Sequence, residues 1–132
     1  MTYILDTHIL LWLRFSPEML SEIQRQAIEA ADEEKFVSSI TAWEISLKFS
    51  LGKLDLGGHT PEQFIAGIYA LGIKIIAPTP EQYATYYQLP KIDGHKDPFD
   101  RMIIWHAIQN GAKLVSSDRK ISDYKLHGLA VV

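Results

Sequence analysis

The acidic residues carry the most suggestive chemistry in this chain. Of its 16 aspartates and glutamates, four fall where an apolar run ends or a helix should begin. Asp6 closes Tyr3-Ile-Leu-Asp6, Asp97 and Asp100 open Asp97-Pro-Phe-Asp-Arg101, and Asp118 follows Leu114-Val-Ser-Ser117. Glu44 sits among apolar neighbours in Thr41-Ala-Trp-Glu-Ile-Ser-Leu-Lys48. A carboxylate beside a buried strand is costly unless it is paired or bound to a cation. Several carboxylates packed together repel strongly unless a hard divalent cation lies between them. Mg2+ or Mn2+ prefers such oxygen donors and keeps waters that can act as nucleophiles. That is the chemistry of metal-assisted phosphodiester hydrolysis.

Each acid also admits a local role. Asp6 can cap the helix that follows it, and Asp97 before Pro98 is a strong N-cap pattern. Asp100 would then be the third helical residue, favoured by the helix dipole but not needed as a cap. Glu44 can pair with Lys48 at i, i+4 on a helix surface. Asp118 can cap a short helix beginning at Arg119. Ser116 shares a strand face with Asp118 if the strand reaches that far, so it can orient that carboxylate or a ligand. Arg101 can contact a phosphate or a partner, or pair with a neighbouring acid. Lys48 and Lys96 can touch a nucleic-acid backbone or simply face solvent.

Other chemistries find less support. His8, His59, His95, His106 and His127 lack HExxH spacing. His95, beside the acidic helix start, is the one expected to touch a ligand, whereas His106 on the long helix reads as a core or surface residue. No GxxxxGK[ST] or GxGxxG phosphate loop is present. A phosphotransfer receiver needs paired acids at the first strand and a lysine after the last, and a phosphatase of similar layout wants DxD. Here the first strand offers only Asp6, the last acid is followed by Arg119-Lys120, and Asp6-Thr-His8 is not DxD.

These acids need elements to hold them, and the chain reads as alternating strands and helices. Strands are expected at 2–6, 36–38, 73–76 and 113–117, with an edge strand at 129–132. Helices are expected over 7–15 and 20–32, the latter with Leu20, Ile23, Ala27, Ile28 and Ala31 at helical spacing. Another begins from a Ser39 or Thr41 cap and ends near Gly52. Thr60-Pro61-Glu62 and Thr79-Pro80-Glu81 open two more, running to Gly72 and to about Gln88. The last covers 98–110. This alternation predicts an α/β fold with a mainly parallel sheet of four to five strands, covered on both faces. Sites in such sheets lie at the carboxyl ends of the strands, which puts Asp6 and Asp118 on one rim.

Composition sets the outer bounds. A length of 132 residues predicts one domain over 1–132. Hydrophobic residues at 47% and charged residues at 22% fit a soluble globular protein. The absence of cysteine excludes disulfides and thiolate zinc sites. Apolar runs fall short of a membrane span, and no basic leader precedes Asp6, so a cytoplasmic protein without a signal peptide is expected. A net charge of −3 argues against holding nucleic acid by charge alone, but not against acting on it through cations.

Four motifs occur in order: Leu5-Asp-Thr-His-Ile-Leu-Leu-Trp12; Ser39-Ile-Thr-Ala-Trp-Glu-Ile45 with Lys48 and Gly52-Lys-Leu54; His95-Lys-Asp-Pro-Phe-Asp-Arg101; and Leu114-Val-Ser-Ser-Asp118. Together they resemble PIN-domain proteins, in particular VapC-type toxins of bacterial type II toxin–antitoxin pairs. The resemblance spans nearly the whole chain. It implies an α/β/α sandwich that cleaves RNA with Mg2+ or Mn2+. It assigns Asp6, Glu44, Asp100 and Asp118 as the catalytic, metal-holding acids. Ser116 matches the family's Ser/Thr before the last acid, and Asp97 matches a second acid of this branch, placed here with Arg101 as supporting. It further implies a homodimer, and a cognate antitoxin whose tail blocks the site and through which alone DNA is reached. The alternative is a non-catalytic partner-binding module whose acidic pocket docks a basic antitoxin peptide.

Overall fold

The computed structural model describes residues 2–30 and 33–132. Ala31 and Asp32, expected in the second helix, lie outside the described residues. Five strands, β1 (Thr2–Leu5), β2 (Glu34–Ser38), β3 (Lys74–Ile76), β4 (Lys113–Val115) and β5 (Ala130–Val131), form one sheet in the order β3-β2-β1-β4-β5. Every pairing is parallel, so the expected α/β sheet is present with all five strands. Six α-helices cover it: α1 (Thr7–Phe15), α2 (Glu22–Glu29), α3 (Ser39–Ser50), α4 (Pro61–Ala70), α5 (Pro80–Ala84) and α6 (Pro98–Asn110).

Strand side chains divide the core in two. Ile4, Phe36 and Leu114 join α6 residues Ile103, Ile104 and Ala107 on one face. Leu5, Val37 and Val115 join Ile9, Ile45, Phe64 and Ile68 on the other. Neighbouring residues on each strand are thus buried on opposite faces, as a parallel sheet requires. His106 belongs to this core, bonded to Ser38 Oγ at 2.9 Å and set edge-on to Phe36. Burial pushes its pKa down to about 4, so it is neutral at pH 7.

Several boundaries differ from expectation. Ser38, not Ser39 or Thr41, caps α3, accepting from the Ile40 N–H. Thr41 is instead buried inside the helix. The helix opened by Pro80 stops at Ala84, and a 3-10 turn (Tyr86–Gln88) completes that stretch. β4 ends at Val115, before Ser116, because the chain turns there into a 3-10 segment (Arg119–His127).

The strand order fixes where a site can form. From β1 the chain steps outward to β2 and β3, then crosses back to β4 on the other side. The order reverses between β1 and β4, and at such a switch the loops leave in opposite directions and open a crevice. Asp6 follows β1 and Asp118 follows β4, so both flank it.

Candidate functional site

Asp6 sits one residue past β1, still paired to the sheet through its N–H to the Val115 carbonyl. Its Oδ1 accepts from the Ile9 N–H at 2.9 Å and caps α1. Burial raises its pKa, and the Ser116 hydroxyl and the Ile9 N–H counter that. Ser116 Oγ also accepts the Asp118 N–H at 3.1 Å. One hydroxyl therefore ties the two strand-end acids together, through a turn rather than a shared strand face. Asp118 caps the 3-10 segment through Lys120 N–H.

Glu44 is 2% exposed, so the surface pair expected for it is not a surface pair. Lys48 Nζ does reach Glu44 Oε2 at 2.5 Å, from a half-buried position. The Thr7 hydroxyl donates to Oε1 at 2.6 Å, and Thr7 also meets the Thr41 hydroxyl at 3.0 Å. Burial disfavours the Lys48 charge, yet its pKa is raised, because its bond to Glu44 and the charges of Glu44, Asp97 and Asp100 outweigh that.

Helix α6 brings in Asp97 and Asp100. Asp97 Oδ1 accepts the Phe99 and Asp100 N–H groups, with Pro98 at the first helical position. This is the expected cap. It does not consume the residue, since a carboxylate oxygen of Asp97 also lies within 4.8 Å of ones from Glu44 and Asp100. Asp100, one turn into the helix, faces the crevice. Burial, then the charges of Asp97, Glu44, Asp6 and Asp118, push its pKa up to about 7. Four acids, one from its own helix start and three from other chain segments, converge on this carboxyl.

Two residues are placed differently from expectation or in more detail than sequence allowed. Arg101 points away from the acids and among the described residues pairs with none. Its guanidinium donates to Tyr86 Oη, Tyr124 Oη, and the Leu89 and Pro90 carbonyls. It braces the segment before α6. His95 turns inward from its loop, helped by Gly94 at φ +77°, a conformation that glycine adopts without strain. Its Nδ1 lies 2.6 Å from Tyr124 Oη, and its Nε2 lies 3.8 Å from both Asp100 Oδ2 and Asp118 Oδ2. Burial lowers its pKa, favouring the neutral ring. Lys96, by contrast, is exposed.

A cleft of about 280 Å³ opens over these residues, lined by Asp6, Asp100 and Asp118 with His8, Trp12 and Ser117. The donor set fits a hard divalent cation. It offers carboxylate oxygens, and Asp100 carries a raised pKa that a bound cation would reverse.

The sequence and the fold match known proteins. The PIN domain pattern covers residues 3–126. The chain is 32% identical over 124 residues to Ribonuclease VapC22 of Mycobacterium tuberculosis, covering 94% of this chain and 92% of that protein. Its fold is similar to VapBC-1 from nontypeable Haemophilus influenzae (TM-score 0.69, 22% identity, 100% and 97% of the two chains). It is also similar to VapBC2 from Rickettsia felis bound to a DNA fragment from their promoter (TM-score 0.67, 21% identity, 100% and 98%). With a five-stranded parallel sheet, acids gathered at its switch point and a match over most of its length, this chain belongs to the PIN-domain family.

Proposed function

We propose that this protein is a metal-dependent endoribonuclease and the toxin of a type II toxin–antitoxin pair. The observation that carries the reading is Asp100, held near a pKa of about 7 by burial and by four surrounding carboxylates. A group so placed is costly in the free protein and useful once a cation arrives. Asp6, Glu44, Asp100 and Asp118 are the residues that would hold Mg2+ or Mn2+. When bound, such an ion supplies an activated water and neutralises charge developing on a scissile phosphate.

The remaining residues prepare that arrangement. Thr7 and Lys48 hold both oxygens of Glu44. Ser116 fixes Asp118 through its backbone and faces Asp6. Asp97 anchors the start of α6 and with it Asp100. Arg101 braces the segment ahead of α6. Trp12 and His8, at the mouth of the cleft, offer ring surfaces on which an unpaired base can stack.

The relative's name, Ribonuclease VapC22, supports RNA as the substrate. The VapBC assemblies of similar fold, one of them bound to a promoter DNA fragment, support an antitoxin partner, and we read DNA as reached only through that partner. Exposed Trp43, Leu47 and Leu51, four residues apart along and just after α3, offer an apolar stripe suited to a protein, either the antitoxin or a second copy. Among the described residues no helix is long and apolar enough to cross a membrane. We place the pair in the cytoplasm. The test is RNA cleavage by protein purified free of antitoxin, with Mg2+, Mn2+ or EDTA. Cleavage only with metal supports the reading, and cleavage that survives EDTA overturns it.

A further inference from the structure

His95 is 5% exposed, yet its Nε2 has no hydrogen-bond partner among the described residues. An unsatisfied buried polar atom is costly and calls for a reason. Its distance of 3.8 Å to Asp100 Oδ2 and to Asp118 Oδ2 is too long for a hydrogen bond to either. It is the right spacing for something else. Two donors that far apart are bridged by one ion with bonds of roughly 2.1 Å. Nε2 and one oxygen from each of these acids all lie within 4.8 Å of one another.

The far side of the ring is built to match. Nδ1 is held at 2.6 Å by Tyr124 Oη, a fully buried hydroxyl that in turn receives an N–H of Arg101 at 2.9 Å. A cation taken up by the Nε2 lone pair would select the tautomer in which Nδ1–H donates to Tyr124 Oη. Ligand histidines are commonly oriented through the other ring nitrogen in this way. Arg101, which turned out not to face the cleft, gains a purpose here, since it fixes the hydroxyl that fixes the ring.

Resting on the divalent-cation reading above, we propose that His95 Nε2 is a nitrogen ligand, completing a mixed site with Asp100 and Asp118. Its consequence is selectivity. An imidazole nitrogen adds little affinity for Mg2+, which is held by oxygen donors, and more for transition-metal ions. The site therefore prefers Mn2+ and its heavier neighbours to Mg2+, while the Glu44 side of the cluster remains an all-oxygen environment.

The test is pulsed EPR of Mn2+ added to the metal-free protein. The expected result is ¹⁴N modulation from a directly bound imidazole, converted to the ¹⁵N pattern when histidine is ¹⁵N-labelled. His95→Gln should abolish the modulation. His8→Gln, at the histidine that lines the cleft, should retain it. By calorimetry His95→Gln should weaken Mn2+ binding about tenfold or more and Mg2+ binding by less than about threefold. Mn2+ bound without nitrogen modulation overturns this inference and leaves the carboxylate site standing. Modulation that persists in His95→Gln also overturns it. Failure of Mn2+ to bind overturns it together with the metal reading. The labelling arm uses the unaltered chain, so a poorly folded variant does not shield the proposal.

Discussion

Glu44 and Asp100 share one cluster, with donor oxygens within 4.8 Å of each other and of Asp97, yet the fold treats them in opposite ways. Glu44 is almost wholly buried and fully provided for, with Lys48 on one oxygen and Thr7 on the other. Asp100 keeps 31% of its side chain exposed and among the described residues has no lysine or arginine at ion-pair distance. The charges that act on it most are those of other acids, with the neutral-leaning His95 beside it and Lys48 only at longer range. One arm of the site is finished by folding. The other is left for something from outside to finish, and the crevice beside it is where that ligand enters.

The largest effect should come from removing the unfinished arm. Asp100→Asn is expected to lower metal-dependent RNA cleavage by more than the roughly 10–100-fold that loss of an outer-shell partner costs. The same change should stabilise the metal-free protein at neutral pH. The folded pKa of Asp100 lies above its ordinary value of 3.8, so the protonated form is favoured by folding. The contribution of Asp100 to stability is then greatest below about 4 and is lost as pH rises to about 7. Melting curves in EDTA should show this decline in the wild type and a shallower one in Asp100→Asn. Equal slopes would break the contrast.

Glu44→Gln should act in the opposite sense on stability. It strands the half-buried Lys48 ammonium and weakens the Thr7 bond. The expected loss is about 1–2 kcal/mol, moderated because Lys48 reaches solvent. Denaturant unfolding at pH 7 measures it, and a stabilised Glu44→Gln would place both acids in the same class. Arg101→Lys keeps the charge but cannot reproduce the fork to two carbonyls and two tyrosines, and should cost about 1–2 kcal/mol by the same measurement.

The smallest effect on stability separates two roles of one residue. Asn caps a helix about as well as Asp, so Asp97→Asn should change stability by only a few tenths of a kcal/mol, while Asp97→Ala should cost about 1 kcal/mol. If Asp97 also serves the cluster, Asp97→Asn should still weaken Mn2+ binding measurably by calorimetry. Unchanged binding would confine it to the cap.

The parts of this site visible in sequence are those written into short patterns. Tyr3-Ile-Leu-Asp6 and Leu114-Val-Ser-Ser-Asp118 announce strands ending in acids, and Asp97-Pro98 announces a cap. Their convergence follows from the parallel sheet, whose strand ends share one rim. Other features depend on distant partners that local patterns do not encode. Glu44 reads as a surface residue beside Lys48 until Thr7, 37 positions away, closes over it. Arg101 belongs to a motif full of acids but bonds to Tyr86, Leu89, Pro90 and Tyr124. His95 was visible as a residue beside the acids, but not the hydroxyl that aims it. Ser116 and Ser117 read as a continuation of β4, which ends at Val115, because the Ser116 hydroxyl serves the turn that positions Asp118.

The central claim is that the carboxylates around Asp100 are incompatible with one another until a divalent cation joins them. Thermal unfolding of antitoxin-free protein, with Mn2+ titrated in at pH 7 and RNA cleavage followed over the same concentrations, tests it most directly. Melting temperature and cleavage should rise together in the wild type, and both responses should be strongly reduced in Asp100→Asn. Cleavage at full rate in EDTA, with a melting temperature indifferent to Mn2+, would contradict it.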